Sequence, residues 1–186
     1  HGRISIAKNN LIGPLEYLEN AELMASDAAN MRPMIGELYK AYAMKCFRAG
    51  AMDFDDLLYN TALLFRDHPD AMVKYQGRFQ YLLVDEYQDT NLVQYSIVKT
   101  LAARHENLTV VGDDSQSIYA FRGANIQNIL NFRTDYPDHQ LFKLEQNYRS
   151  TKTIVGAANS LIEKNKDQIK KTIWTANDEG EKIAVH

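Results

Sequence analysis

The sequence predicts an α/β fold in which a mainly parallel sheet, flanked by helices, follows a helical N-terminal segment. Two short apolar runs, at residues 81–84 and 108–111, have the length and aliphatic content of buried strands. An amphipathic helical pattern occupies residues 91–104 between them. Because strands that alternate with helices usually pair in parallel, this order of elements predicts the parallel sheet.

The first fifty residues are predicted to be helical. Leu11, Leu15 and Leu18 recur at three- and four-residue steps, which is the spacing of one helix face. A second helix is predicted from about Ala28 to Ala49, with Gly50 as its C-terminal stop. Its apolar stripe is more typical of a core than of a cofactor surface, and it consists of Met31, Met34, Ile35, Leu38 and Tyr42.

The next helix is predicted to begin at Asp53, because a carboxylate suits the positive end of a helix, and to end at His68 and Pro69. A short helix near residues 70–76 then ends at Gly77 and leads into the first strand.

After the second strand, Gly112 opens an exit turn. Further helices are predicted at 125–133 and 151–164, the latter with Ser150 as its N-cap, and a further strand at 140–144.

The bulk composition is that of an ordinary globular protein, with 45% hydrophobic and 24% charged residues. The net charge of −3 argues against a generally basic nucleic-acid binder, although a local channel needs only a few cations. No apolar run approaches the roughly 18–20 residues that span a membrane, so no membrane association is expected and cytoplasm is the expected compartment. The single cysteine, Cys46, excludes an intramolecular disulfide and is expected to be a small core residue.

Residues 82–90, Leu-Leu-Val-Asp-Glu-Tyr-Gln-Asp-Thr, form the most informative stretch. Its apolar run ends in two adjacent carboxylates, Asp85 and Glu86. A parallel sheet uses such a strand tip to present a magnesium ligand and a water-activating base to a nucleotide. A lone junction of this kind is also typical of a strand that ends in a solvated turn.

Two further segments favour the nucleotide interpretation: Val-Gly-Asp-Asp-Ser-Gln-Ser-Ile-Tyr-Ala-Phe-Arg-Gly-Ala at 111–124 and Leu-Glu-Gln-Asn-Tyr-Arg-Ser at 144–150. Together, the three blocks resemble motifs II, III and IV of the UvrD/PcrA/Rep family of superfamily 1 DNA helicases. Their order and spacing also match, from about Ile4 to the C-terminus. The resemblance implies part of a RecA-like P-loop NTPase domain.

The resemblance also implies a division of the chain into three parts. Residues 1–51 correspond to the C-terminal part of the helical subdomain 1B. Residues 52–142 correspond to the second half of the RecA-like domain 1A, with motifs II and III. Residues 143–186 correspond to the start of the RecA-like domain 2A, with motif IV.

Roles in nucleotide chemistry follow from the resemblance at matching positions. Asp85 would hold magnesium (Mg2+) through a bound water, and Glu86 would orient and deprotonate the attacking water. Gln116 matches the sensor of the γ-phosphate, and Arg149 matches the arginine that reaches this phosphate across the interdomain cleft. Tyr148 resembles the residue that stacks on adenine, although a core tyrosine at a strand exit is an open alternative.

Two other groups of residues have expected roles. Gln88, Asp89 and Thr90 are expected to support the turn after the acidic pair. The side chains expected to face single-stranded DNA are Tyr119, Phe121 and Arg122, because aromatic rings stack on bases and arginine holds phosphates. In the family the position of Phe121 is often Trp, so somewhat weaker stacking is expected. Packing of the two rings into the core is the alternative.

The resemblance implies that the chain is an internal piece of an ATP-dependent helicase that moves 3′ to 5′ on single-stranded DNA and opens duplex junctions, with ATP and Mg2+ as cofactors and a monomer as the default state. The 186 residues contain no Gly-x-x-x-x-Gly-Lys-Ser/Thr loop. We therefore expect these residues alone to show no ATP turnover in a coupled assay.

Two alternatives stay open at this point. The chain could belong to a single-stranded DNA-binding module without ATPase activity, which needs no phosphate-binding loop. It could also belong to a helicase–nuclease subunit with a nuclease domain further downstream. The complete reading frame discriminates among the three.

Overall fold

The computed structural model describes residues 2–117, 123–166 and 168–184. Within these residues the chain is rich in helix and contains one small parallel sheet, which confirms the predicted α/β class. The helices and strands, in chain order, are α1 (Gly2–Asn9), α2 (Pro14–Glu19), α3 (Ala21–Ala29), α4 (Ile35–Arg48), α5 (Phe54–Asp67), α6 (Pro69–Arg78), β1 (Leu82–Val84), α7 (Leu92–Ala102), β2 (Leu108–Val110), α8 (Gln127–Leu130), α9 (Phe132–Asp135) and α10 (Lys152–Ile162).

The N-terminal segment is helical as predicted, but its helices are shorter. Leu11 lies in a left-handed turn between α1 and α2, with φ of +60°. The helix predicted from Ala28 to Ala49 is wrong over its first turns, because Met31 also adopts a left-handed conformation and Pro33 follows. Gly50, with φ of +60°, ends α4 as predicted.

The core of this segment is built from tyrosines. Tyr17 and Tyr39 are both buried and meet edge to face, with ring centroids 5.9 Å apart. The predicted apolar stripe lies only partly in the core. Met31, Met34 and Leu38 are exposed, and the exposed fraction of Met31 is 90%.

A buried lysine joins α1 to the start of α5. Lys8 is 1% exposed, and its Nζ lies 2.7 Å from Asp53 and 2.8 Å from Asp56. Burial acts to lower the pKa of Lys8, but hydrogen bonds to the two carboxylates outweigh it, so the pKa is raised. Asp53 caps α5 as predicted, because its side chain accepts the backbone N–H of Asp56 at 2.7 Å.

The two strands of the sheet pair in parallel, with Leu82 opposite Leu108 and Val84 opposite Val110. The ladder continues past β2, because the N–H of Val111 donates to the carbonyl of Val84 in β1 at 2.8 Å. Helix α7 makes the crossover between the strands. This register places the carboxyl ends of β1 and β2 side by side at one edge of the sheet.

The C-terminal region differs from the predictions in three places. Residues 140–144 form no strand, and the chain pairs instead at Gln146, in a bridge to Trp174. The helix predicted at 125–133 is two short helices, α8 and α9, which meet at Asn131. Thr151, rather than Ser150, occupies the N-cap position of α10.

None of the helices in the described residues combines the length and the apolar character that crossing a bilayer requires.

Candidate functional site

The acidic pair lies at the carboxyl end of β1, and both side chains are exposed. Glu86 has φ of +50° and ψ of 41°, a left-handed conformation that costs a residue with a Cβ about 1–2 kcal/mol. The Oδ1 atom of Asp85 accepts the Glu86 N–H at 2.9 Å, which holds this conformation. Such backbone strain is typical of functional sites, where it aims a side chain.

Gln88 joins the acidic pair to the exit of the second strand. This side chain is 1% exposed. Its Nε2 donates to Glu86 Oε2 at 2.8 Å, and its Oε1 accepts the N–H of Asp113 at 3.0 Å. A Cβ on Gly112 would lie 2.6 Å from Gln88 Oε1, so this position has room only for glycine. Gln88 therefore supports the turn as predicted, and in addition it connects β1 to β2.

Asp113 organises the short turn that carries Gln116. One carboxylate oxygen of Asp113 accepts the N–H of Ser115 at 3.0 Å, and the other accepts Gln116 Nε2 at 2.8 Å. Gln116 is exposed beside the strand ends. A continuous chain of hydrogen bonds thus runs from Glu86 through Gln88 and Asp113 to Gln116.

A lysine from the C-terminal region completes this cluster. Lys171 Nζ lies 2.6 Å from Asp113 Oδ1 and 2.6 Å from Asp114 Oδ1. Burial raises the pKa of Asp113, but hydrogen bonds from Lys171 and Gln116 outweigh it, so the pKa lies below its ordinary value. Burial likewise lowers the pKa of Lys171, yet its two carboxylate partners raise it overall. Lys171 was not predicted as a site residue, because a lysine in the C-terminal tail carries no local signal of a partner far along the chain.

The turn after the acidic pair is anchored to the rest of the fold. Thr90 Oγ1 donates to the Tyr87 carbonyl at 2.7 Å, and Asn128 Nδ2 donates to both oxygens of Thr90, at 3.0 and 3.1 Å. Asn91, the N-cap of α7, donates to Asn9 Oδ1 at 2.9 Å. These contacts fix the turn between β1 and α7 from both sides.

The remaining predicted site residues are not brought to this cluster. Tyr148 is 78% exposed, so it is not a core residue here, and its hydroxyl donates to Gln146 Oε1 at 2.9 Å. Arg149 is exposed, and its backbone N–H donates to Asn147 Oδ1 at 2.9 Å. Over residues 2–117, 123–166 and 168–184, no hydrogen bond or ion pair joins either side chain to Asp85, Glu86 or Gln116. Their nucleotide roles stay predictions.

The predicted DNA-facing residues Tyr119, Phe121 and Arg122 lie outside the described residues. Their roles also stay predictions.

The donor set suits a cation that is shared with a substrate. In the described part of the chain, no group of three His, Cys, Asp or Glu side chains could hold a metal ion by itself. Asp85 has one carboxylate oxygen engaged by the Glu86 N–H, while the side chain is exposed at the strand tip. Magnesium is commonly held in this way, by one or two carboxylates together with substrate phosphates.

Comparison with models of protein families identifies the family of this chain. Residues 2–137 match the family model of the UvrD/REP helicase N-terminal domain, and residues 142–186 match that of the UvrD-like helicase C-terminal domain. The chain belongs to the UvrD/REP helicase family. The resemblance found in motifs II, III and IV is therefore confirmed, and so is the expected RecA-like P-loop class of fold.

Individual members of this family are similar in sequence to nearly the whole chain. The ATP-dependent DNA helicase PcrA of Leuconostoc citreum is 48% identical over 185 residues, which is 100% of this chain and 24% of the relative. The ATP-dependent DNA helicase PcrA of Staphylococcus aureus is 50% identical over 182 residues, or 98% of this chain and 24% of the relative. The chain thus spans about a quarter of the length of the curated relatives it matches.

Proposed function

We propose that this chain is part of an ATP-dependent DNA helicase that moves 3′ to 5′ along single-stranded DNA and separates strands during repair or replication. Membership of the UvrD/REP helicase family supports this function, as do relatives named ATP-dependent DNA helicase PcrA. The single observation that carries the proposal is the hydrogen-bond chain from Glu86 to Gln116 at the carboxyl edge of the sheet. In open α/β sheets, ligands bind at this edge.

In the proposed site, Glu86 orients the attacking water and takes its proton, and its exposed side chain at the strand tip is accessible to that water. Asp85 would hold Mg2+ beside the ATP phosphates, most simply through a bound water. Bound magnesium would neutralise charge that develops on the phosphates. Gln116 would leave Asp113 to bond the γ-phosphate, and would return when that phosphate leaves.

The DNA-coupling part of the proposal rests on the resemblance. Arg149 would complete the nucleotide site by reaching the γ-phosphate across a cleft that closes when ATP binds, and Tyr148 would stack on adenine. Both side chains are exposed and thus accessible to a ligand. Closure and reopening would move single-stranded DNA past Tyr119 and Phe121.

The proposed domain division keeps the boundaries 1–51, 52–142 and 143–186. The change from one family match to the other between residues 137 and 142 supports the second boundary. The first boundary, near Asp53, rests on the resemblance alone.

The test uses the product of the complete reading frame that encodes this chain. We expect ATP hydrolysis that single-stranded DNA stimulates, and displacement of a strand from a duplex with a 3′ single-stranded tail but not from one with a 5′ tail. DNA binding without ATP turnover would refute the helicase and favour the non-catalytic module. Additional DNA cleavage would favour the helicase–nuclease subunit.

A further inference from the structure

A salt-bridged lysine ties the C-terminal region to the turn that carries Gln116. Lys171 Nζ lies 2.6 Å from one oxygen of Asp113 and 2.6 Å from one oxygen of Asp114. The three side chains are largely shielded from water, with exposed fractions of 17% for Lys171, 33% for Asp113 and 2% for Asp114. The family matches assign these partners to different domains, because residues 2–137 and 142–186 match separately.

A second contact holds the same two regions together. The backbone N–H of Ile169 donates to Asp114 Oδ2 at 2.9 Å, so Asp114 receives a donor on each of its two oxygens. Lys171 and Ile169 therefore contact the turn at two points, and these contacts hold residues 169–171 against it. Such a two-point contact orients a loop better than one ion pair does, because each contact restricts the rotation that the other leaves free.

Asp113 is shared between the lysine and the sensor amide. Its Oδ1 accepts Lys171 Nζ at 2.6 Å, while its Oδ2 accepts Gln116 Nε2 at 2.8 Å. Without a cation, two adjacent carboxylates, one of them almost fully buried, would repel each other and lose their ordered arrangement. Asp113 is thus held by the N–H of Ser115 within the turn and by Lys171 from the C-terminal region, and Gln116 rests on the carboxylate that these two donors fix.

We propose that Lys171 is a positioning residue for the reaction of this site: through Asp113 it sets the position of Gln116, and it thereby links the nucleotide-sensing turn to the C-terminal domain. The inference rests on the proposed function. When Gln116 leaves Asp113 for a phosphate, the carboxylate keeps only two donors, Lys171 and the N–H of Ser115. The contact between the C-terminal domain and this turn therefore changes with the nucleotide state. Lys171 contacts the carboxylate rather than the reacting atoms.

The experiment compares Lys171→Met with a matched control, Lys170→Met, in the product of the complete reading frame. Lys170 is the adjacent lysine, and its side chain is exposed. We expect Lys171→Met to lower kcat of DNA-stimulated ATP hydrolysis by about 2- to 30-fold, with KM for ATP little changed, because coupling residues commonly have effects of this size and sensing acts after ATP binds. Lys171→Arg should restore kcat, since a guanidinium can bond both carboxylates.

Hydrogen exchange supplies a readout that does not depend on activity. In Lys171→Met, peptides that span residues 112–117 and 168–172 should exchange faster than in Lys170→Met, because the N–H groups of Ser115 and Ile169 donate to the two carboxylates that Lys171 fixes. If Lys171→Met does not fold, the double variant Asp114→Asn/Lys171→Met removes the buried charge together with the cation, and the same readouts apply.

The possible results distinguish failure of this proposal from failure of the proposed function. Slower turnover with unchanged KM, faster exchange and recovery by Lys171→Arg support the proposal. Equal kcat and equal exchange in Lys171→Met and Lys170→Met overturn it. Absence of DNA-stimulated turnover in the unmodified protein refutes the proposed function instead, and the exchange comparison then still decides whether Lys171 holds the turn.

Discussion

Replacing Gln88 tests the bridge between the two strand ends. Gln88→Met keeps the length of the side chain but removes both the donor to Glu86 and the acceptor for the Asp113 N–H. Glu86 is exposed, so water replaces its lost partner at little cost, whereas an N–H left without an acceptor in a half-buried turn costs about 1–3 kcal/mol. We expect the free energy of unfolding to fall by about that amount.

A charged replacement separates the two halves of the bridge. Gln88→Glu keeps an acceptor for the Asp113 N–H but places a second carboxylate where an amide now lies 2.8 Å from Glu86. Like charges at such a distance repel strongly, so the exposed side chain of Glu86 should swing away. Since a misplacement of about 1 Å can cost on the order of 100-fold in rate, we expect Gln88→Glu to impair turnover more than Gln88→Met does.

Two assays check these expectations. Urea unfolding followed by far-UV circular dichroism gives the stability of the 186-residue chain, and steady-state ATP hydrolysis by the complete gene product gives the rate. The matched control is Gln80→Met, because Gln80 is exposed. If Gln88→Met and Gln80→Met differed by less than about 0.5 kcal/mol, a value ordinary for surface substitutions, the bridge would have no energetic role.

Three further predictions concern the scaffold, and each is checked by urea unfolding. Lys8→Met should cost about 3–5 kcal/mol, because it leaves two carboxylates around a buried site without their cation; a loss below about 1 kcal/mol would contradict the network. Gly112→Ala should cost about 1–3 kcal/mol, because its Cβ would lie 2.6 Å from Gln88 Oε1, whereas Gly156→Ala meets nothing within 4 Å in a helix and should stabilise. Burial raises the pKa of Asp27, but hydrogen bonds from its tyrosine and arginine partners lower it overall, so its contribution should be intact above about pH 4 and lost as pH falls further. Stability that is flat down to pH 2 would refute that assignment.

Local signals in the sequence predicted local structure well. Asp53 is the N-cap of α5, and Asn91 is the N-cap of α7, with a side chain that accepts the N–H of Gln94. Such caps act within four residues, so neighbouring sequence contains all the information they need. The convergence of Glu86 and Gln116 was also predictable, because parallel pairing of two strands brings their carboxyl ends together.

The incorrect predictions have physical causes that sequence periodicity does not carry. The stripe from Met31 to Tyr42 has helical spacing, yet the helix is interrupted at Met31 and Pro33, so Met31 and Met34 lie before α4 while the rest of the stripe lies within it. Residues 140–144 have strand-like composition, but a strand requires a partner, and the pairing partner found at Trp174 lies nearly thirty residues further on. Lys171 was missed for the same reason, since its carboxylates lie 57 and 58 residues away.

Single-turnover hydrolysis by Glu86→Gln in the complete gene product tests the central assignment most directly. The substitution keeps the size of the side chain and its contact to Gln88 but removes the proton acceptor. We predict that ATP still binds with nearly unchanged affinity while the chemical step on single-stranded DNA slows by about 100-fold or more. Hydrolysis within a few-fold of the unmodified rate would show that the carboxylate at the tip of β1 is not the base.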